Sequence, residues 1–292
     1  MALEQLGYRG WTGTLRPPWM ACWPIVRSGV WLVLRRKIFW VFLAAGLLRF
    51  LRLFAIIYIK AEYSATNPRL ARFLAAFEVT GTGGAYHEFM FGQGVVTMLL
   101  LAFAGSQLVG GDYDQGGLSF YLSRRLGRRQ YVVGKLLAIG CLVLLITTVP
   151  ALVLFTECGL LSGSLDYFLE NPQIVLGILG YGAVMATALS VLLAAIASWL
   201  QRAVPLVVTW LCVLALLPVL GEGLRRVTSN RSWDLLSFWI DLRLLGRWCF
   251  GSLNEKRDEL QLAPWAAWIV LAACAISFVA FLRRVRAVEV VG

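Results

Sequence analysis

Side chains able to do chemistry are few and scattered in this chain of 292 residues. Its one histidine, His87, sits beside Glu88, and six cysteines stand at positions 22, 141, 158, 212, 249 and 274 with no Cys-x-x-Cys pair. Zinc sites and thiol–disulfide centres need such ligands grouped at short spacings, so no metal site and no redox motif is expected. Cys141, Cys212 and Cys274 lie inside apolar runs, where a thiol behaves as a small hydrophobe. The His87–Glu88 pair falls at the edge of an apolar run, which suits an interfacial role better than proton or metal chemistry.

Two charged features have more to offer. Arg49 and Arg52 fall inside the apolar run that starts near residue 38. Three residues apart, they occupy neighbouring faces of one helix, and each costs about 2.5–3.5 kcal/mol at the bilayer centre. Such charges either face a conduit and draw an anionic cargo group, or snorkel to the interface or pair with an acid such as Glu157. The second feature is the stretch 110–137, GGDYDQGGLSFYLSRRLGRRQYVVGKLL. It runs from Asp112 and Asp114 through Gly116-Gly117 to Leu118, Phe120, Tyr121 and Leu122, then to Arg124, Arg125, Arg128 and Arg129. That order predicts a short helix with an apolar side and a basic end, able to dock in a groove of a soluble partner. The arginines alone would equally suit an ordinary basic loop.

The elements that carry these residues follow from composition. Apolar residues make up 59% of the chain, charged residues 15%, and the mean hydropathy is +0.73. Soluble domains are about 45–50% apolar and about 25% charged, and an excess of this size cannot be covered by polar surface. The class is an all-α integral membrane protein. Windows at about 38–59, 89–109, 134–155, 174–198, 204–220 and 264–282 are long and apolar enough to be transmembrane helices, six in all. The fifth is short and holds Pro205 and Pro218; it is read as the return leg of a hairpin turning at Trp199, Gln201 and Arg202. The rival reading merges it with the fourth into one kinked helix and leaves five spans.

Basic residues then set orientation. The N-terminal tail, the 110–133 loop, Arg202 and the tail Arg283, Arg284 and Arg286 concentrate them on one side. The 156–173 loop has none, and in the 221–263 loop seven basic residues are nearly balanced by six acids. Both termini are therefore expected in the cytoplasm, which accounts for the net charge of +11 without nucleic acid. The first long apolar run follows a basic tail and no small-residue cleavage site, so no cleavable signal peptide is expected. Residues 1–37 read as a cytoplasmic tail whose segment 24–37 is an interfacial amphipathic helix, or else a plain extension of the first span. Residues 38–292 read as the six-span domain, with short outer helices between spans 5 and 6 in the 221–263 loop, where 233–248 suits a surface or re-entrant helix. Gly177, Gly180, Gly182 and Ala186 offer small surfaces for close helix packing.

The 110–137 stretch resembles the coupling loop of ABC-2-type transporter permeases, the membrane subunits of ATP-binding-cassette exporters. That family's loop runs acidic-x-Gly-x-hydrophobic, then Leu-Ser-Arg, then Arg…Tyr…Gly-Lys. The matching residues are Asp114, Gly116, Leu118, Leu122-Ser123-Arg124, Arg128, Tyr131 and Gly134-Lys135. The tail 283–291, RRVRAVEVV, is similar to the endings of such permeases. One position departs: the family's proline after Ser-Arg is Arg125 here, leaving Gly127 to supply the turn.

The resemblance implies a permease subunit that moves, and mostly exports, cargo with ATP and Mg bound on a separate ATPase. Asp114, Gly116, Leu118, Phe120, Tyr121, Leu122, Arg124, Arg128, Tyr131 and Lys135 would couple to that partner, and Arg49 and Arg52 would lie on the translocation path. It implies a dimer, homo- or heteromeric, in the cell (inner) membrane. The chain itself is expected to bind no cofactor and catalyse nothing. Its nearest approach to Gly-x-x-x-x-Gly-Lys-[Ser/Thr] has Arg129 for the first glycine and Leu136 for the hydroxyl residue. A secondary transporter or an intramembrane enzyme would be the alternative. The spans hold almost no acids for such an enzyme and no paired broken helices for such a transporter.

The orientation is checked by cysteine labelling. Asn254→Cys is expected to react with an impermeant reagent from outside, and labelling only from the cytoplasm refutes the six-span arrangement.

Overall fold

The computed structural model describes residues 20, 22–63, 81–114, 127–162, 166–253 and 259–290, and every regular element among them is helical. Six rods are long and apolar enough to cross a membrane. Span 1 is Lys37–Glu62, span 2 Gly83–Tyr113, span 3 Arg128–Leu161, span 4 Pro172–Trp199, span 5 Ala203–Thr228 and span 6 Glu259–Val285. They alternate in direction, so one end of the bundle gathers the two terminal segments and the turns at 110–133 and 200–202. This is the basic end, with Arg35, Arg36, Lys37, Arg128, Arg129 and Arg202. The opposite, far end mixes acids and bases.

All six spans outrun their expected apolar windows because helix continues past them, mostly into polar residues. Span 2 thereby takes in Glu88 at one end and Asp112 at the other. The fifth span is a separate helix. Pro205 stands in its first turn, where an N–H would have no partner anyway. A π-helical turn at Cys212–Leu216 precedes Pro218 and absorbs the break it imposes. Span 3 is interrupted at Thr147, where Pro150 withholds a backbone donor and Thr147 Oγ1 donates to Val143 O at 2.8 Å. Span 2 carries a π-helical turn of its own, Ser106–Gly110, just before the basic end.

Spans 2, 3 and 4 form the packed interior, around Leu101, Ile139, Leu142, Tyr181 and Leu189. Span 5 is pinned to it by Trp210, fully buried, whose indole N–H donates to Met98 O at 2.9 Å. Gly182 lets span 4 meet span 3 at Thr148; a Cβ there would collide with the threonine hydroxyl. Spans 1, 5 and 6 lie outside, with most of their surface free of the protein.

The N-terminal helix is its own element, Cys22–Leu34, split from span 1 by a turn at Arg35-Arg36. Its buried stripe of Ile25, Val26, Gly29 and Val33 packs on the start of span 3. Trp23 and Trp31 point away from the bundle, and Arg35 stands 5.1 Å over the Trp31 ring. A separate helix thus stands where the interfacial helix is expected, not a plain extension of span 1, and one of its faces is committed to protein.

Between spans 5 and 6 the expected loop is mostly helix. Span 5 continues to Thr228, Ser229 turns the chain at φ 54°, and a 3-10 turn, Arg231–Leu236, leads into the far-end helix, Phe238–Cys249. Ser237 caps that helix, its Oγ accepting from Ile240 N at 3.3 Å. The helix is docked into the bundle: Phe238, Trp239, Leu242 and Leu244 are buried, and Gly94 of span 2 leaves room for the Trp239 ring.

Docking also buries Asp241, which is 0% exposed with no hydrogen-bond partner on either oxygen. Burial, reinforced by Asp234, pushes its carboxyl up to about 8. The folded protein therefore keeps a proton that the unfolded chain releases near the ordinary aspartate range. That contribution to stability is complete at acid pH and declines as pH rises to about 8. Thermal unfolding in detergent is expected to drop by several degrees between pH 5 and pH 8.5, and Asp241→Asn is expected to flatten that drop. An unchanged slope in the variant would show that Asp241 does not hold its proton.

Candidate functional site

Two places in the bundle bring chemistry together. The first is the root of the 110–133 loop at the basic end. Asp112 closes span 2 and faces the first turns of span 3. Tyr131 OH donates to Asp112 Oδ2 at 2.8 Å, and Lys135 Nζ pairs with the same oxygen at 2.7 Å. Lys135 also donates to Leu108 O, inside the π-helical turn. Lys135 is 5% exposed and Tyr131 fully buried, with the ammonium 5.7 Å from the tyrosine ring. The two strands of the loop thus leave the bundle from a fixed frame.

That frame reaches further. Arg36 Nε donates to Gln107 Oε1 at 3.1 Å, tying the end of the N-terminal helix to the same π-helical turn. Gly134 accepts Ile25 of that helix at a distance that admits no side chain. Tyr113, next to Asp112, lies 5.9 Å under the Arg284 guanidinium of span 6. Arg284 in turn stands 5.6 Å over Trp199 and donates to Ser198 O at 3.3 Å, both at the end of span 4. Spans 2, 3, 4 and 6 and the N-terminal helix are therefore joined within one layer.

Of the expected coupling residues, Tyr131 and Lys135 are in this buried frame and Arg128 is exposed at the first turn of span 3. Asp114 ends the helical turn Gly111–Asp114. Gly116, Leu118, Phe120, Tyr121, Leu122 and Arg124 lie outside the described residues. Gly127 does start span 3, as its N-cap, and its N–H donates to Gln130 Oε1 at 2.7 Å. Its φ of −73° is open to any residue, so no glycine-only turn replaces the proline. Asp112, Tyr113 and Arg284 carry the frame although none was among the expected coupling residues: Asp112 and Tyr113 lie in the 110–137 stretch and Arg284 in the basic tail, but no spacing marked them as partners.

The second place is a cavity of about 510 Å³ between spans 1, 2 and 3 in the far half of the bundle. Arg49 and Arg52 both line it, with Leu53, Ile56, Ile57, Phe89 and Leu154 as apolar wall and Glu88 as the acid. Span 1 is held there by Gln93, buried in span 2, whose Nε2 donates to Gly46 O at 2.9 Å. The Arg49 guanidinium occupies space that Gly92 leaves empty, and Nη2 donates to Glu88 O at 3.1 Å. Its Nε is buried without a partner. The expected alternative partner, Glu157, does not reach it: both Glu157 oxygens are buried and unpaired. Among the described residues no carboxylate pairs with either arginine.

Glu88 itself is a hub that the sequence did not announce. Its Oε1 receives Arg243 at 2.8 Å and Arg247 at 3.1 Å from the far-end helix, and Arg247 also pairs with Glu259 of span 6. His87 is 1% exposed, with Nε2 3.1 Å from Arg243 O and its ring 5.5 Å from Tyr181. It packs and fastens the far-end helix. No group of three or more His, Cys, Asp or Glu able to hold a metal occurs among the described residues.

Beside this architecture stands a match in sequence: the profile of the ABC-2 family transporter proteins covers residues 24–232, from the N-terminal helix to the 3-10 turn. The chain belongs to the ABC-2 transporter family. No curated protein matches it. An ABC-2 chain with six apolar spans is a multi-pass membrane protein and the permease component of an ABC transporter, a transport part that associates with an ATP-binding subunit. In this ABC-2 permease the loop root and the arginine cavity lie towards opposite ends of spans 2 and 3, with the π-helical turn of span 2 and the interruption of span 3 at Thr147 between or beside them.

Removing one member of the buried pair leaves the other uncompensated, which costs about 3–5 kcal/mol. Asp112→Asn and Lys135→Met are each expected to lower the melting temperature strongly, and the double variant to recover much of the loss. Strictly additive losses would show that the pair does not act as a unit.

Proposed function

We propose that this ABC-2 permease exports its cargo with ATP and Mg held by a separate cytoplasmic ATPase that grips the 110–133 loop. Two permease copies, identical or different, stand with two ATPases in the cell (inner) membrane. Both termini and the basic end face the cytoplasm, in keeping with the side on which Lys and Arg concentrate. The chain supplies no nucleotide chemistry of its own.

The observation that carries this reading is the frame of Asp112, Tyr131 and Lys135. A docking element can move a bundle only if its attachment is stiffer than its grip. Here both ends of the loop are locked to each other by a buried ion pair and a buried tyrosine hydroxyl. Closure of the ATPases would displace the loop, and the frame would carry spans 2, 3, 4 and 6 with it. The cavity that Arg49 and Arg52 of span 1 line beside the far halves of spans 2 and 3 would then open or close along the cargo path.

Docking is expected to depend on apolar knobs. Burying an aromatic side chain stabilises by about 1.5–3 kcal/mol, against about 0–1 kcal/mol for an exposed charge pair. Phe120→Ala or Tyr121→Ala should loosen the complex more than Arg124→Gln does. In the short helix proposed for this stretch the two aromatics would stand about 100° apart, so one of them should dominate. Co-purification and ATP hydrolysis in nanodiscs measure this; if neither aromatic change alters association or hydrolysis, the loop is not the coupling element.

A further inference from the structure

The cavity is ordered by depth in a way that selects a ligand. Span 1 runs from the basic end at Lys37 to the far end at Glu62. At about 1.5 Å per residue, Arg49 lies near the middle of the rod. Leu53, Ile56 and Ile57 follow it towards the far end, opposite Ala85 of span 2 and Leu154 of span 3. The arginines are thus the deep end, and the rim is mostly apolar, with Ile56, Ile57 and Ala85 beside Thr82 and Tyr86. A bilayer lipid in the far leaflet has the reverse order, with its headgroup at the surface and its chains at depth.

Charge at the deep end is uncompensated. Arg49 Nε is buried without an acceptor, and Arg52 meets no carboxylate among the described residues. Glu88 is drawn to the other side by Arg243 and Arg247, the second of which shares Glu259. In the cavity lining two guanidiniums, Arg49 and Arg52, therefore face one carboxylate, Glu88, which Arg243 and Arg247 already engage from outside. The cavity's 510 Å³ falls within the range of about 300–1,000 Å³ that holds small organic ligands.

We infer that the cavity binds a hydrophobic organic anion, with its carboxylate, sulfonate or phosphate group at Arg49 and Arg52 and its apolar body against Leu53, Ile56, Ile57 and Leu154. This rests on the two arginines lying on the cargo path and names the class of molecule that passes them. Two forked guanidiniums recognise a planar or tetrahedral anion. The apolar rim supplies affinity without specificity for the body, so many bodies with one kind of head would be accepted.

The test is photolabelling of the full chain in phosphatidylcholine nanodiscs. The probe is dodecanoate with a diazirine at its tail; its methyl ester and the alkyl-trimethylammonium of equal length are the comparisons. Labels read by mass spectrometry are expected at the rim, on the peptides holding Leu53–Ile57 and Leu154, for the carboxylate alone. Arg49→Gln and the exposed-site variant Arg52→Gln should each cut labelling about tenfold or more, as loss of a charge-assisted bond would. Ala85→Trp, which fills the cavity and spares both arginines, should cut it as well.

Equal labelling by the ester or the ammonium probe, or full labelling of both arginine variants, overturns the anion. Displacement of the probe by phosphatidylglycerol in the disc makes the occupant a bilayer lipid and overturns it too. Binding here needs no ATPase. A failed label therefore leaves the permease reading to stand on co-purification, and a failed co-purification leaves the label informative.

Discussion

A buried ammonium must find its counter-charge inside the protein, and Lys135 finds it in Asp112 across the two ends of one loop. Among the described residues of the basic end, this is the ion pair with a nearly buried cation. The pair fixes where span 2 stops and span 3 starts, and Tyr131 closes the remaining acceptor on the same oxygen. Once those starting points are set, the N-terminal helix has a groove beside Gly134, and Arg284 has Tyr113 and Trp199 to lie over. The loop proposed to couple to the ATPase is thus mounted on a buried ion pair and a buried hydroxyl.

The far end is built on the same rule with different residues. Glu88 collects Arg243 and Arg247, Arg247 reaches Glu259, and Arg49 approaches the Glu88 backbone from the cavity side. Those links join spans 1, 2 and 6 to the far-end helix, so that helix moves with the bundle rather than floating over it. Interior spans 2, 3 and 4 connect the two polar layers through close apolar contacts, and packed helices shift as units. The π-helical turn of span 2 and the break at Thr147 in span 3 are the places where those rods depart from regular geometry, one in each.

Membrane burial explains why so much of this was legible. Backbone groups in lipid must be satisfied within the segment, so an apolar run of sufficient length has one structure open to it, and six such runs could be read from composition and spacing. The fifth was ambiguous because its apolar window is short and holds Pro205 and Pro218. It stands as a separate span because one proline falls in a first turn and the other follows a π-helical turn. The family was legible too, because Asp114, Gly116, Leu122-Ser123-Arg124 and Gly134-Lys135 keep a spacing along the chain, and the family match spans that stretch.

Long-range pairing was not legible. Nothing in the spacing of Glu88 and Arg243, 155 residues apart, marks them as partners. The plausible pairing of Arg49 with Glu157 failed because Gly92 admits the guanidinium against span 2, where it donates to Glu88 O, and both Glu157 oxygens stay buried and unpaired. Tyr131 and Lys135 belong to a motif by sequence, yet their burial beside Asp112 is a property of how two helices meet. By itself the sequence determined the class, the number of spans, the basic end and the family, since each follows from local apolarity or local spacing. Which charges meet, which are left unpaired at the cavity, and which helix the far-end segment docks against were decided by tertiary structure, because helix packing alone brings distant residues to one depth and one face.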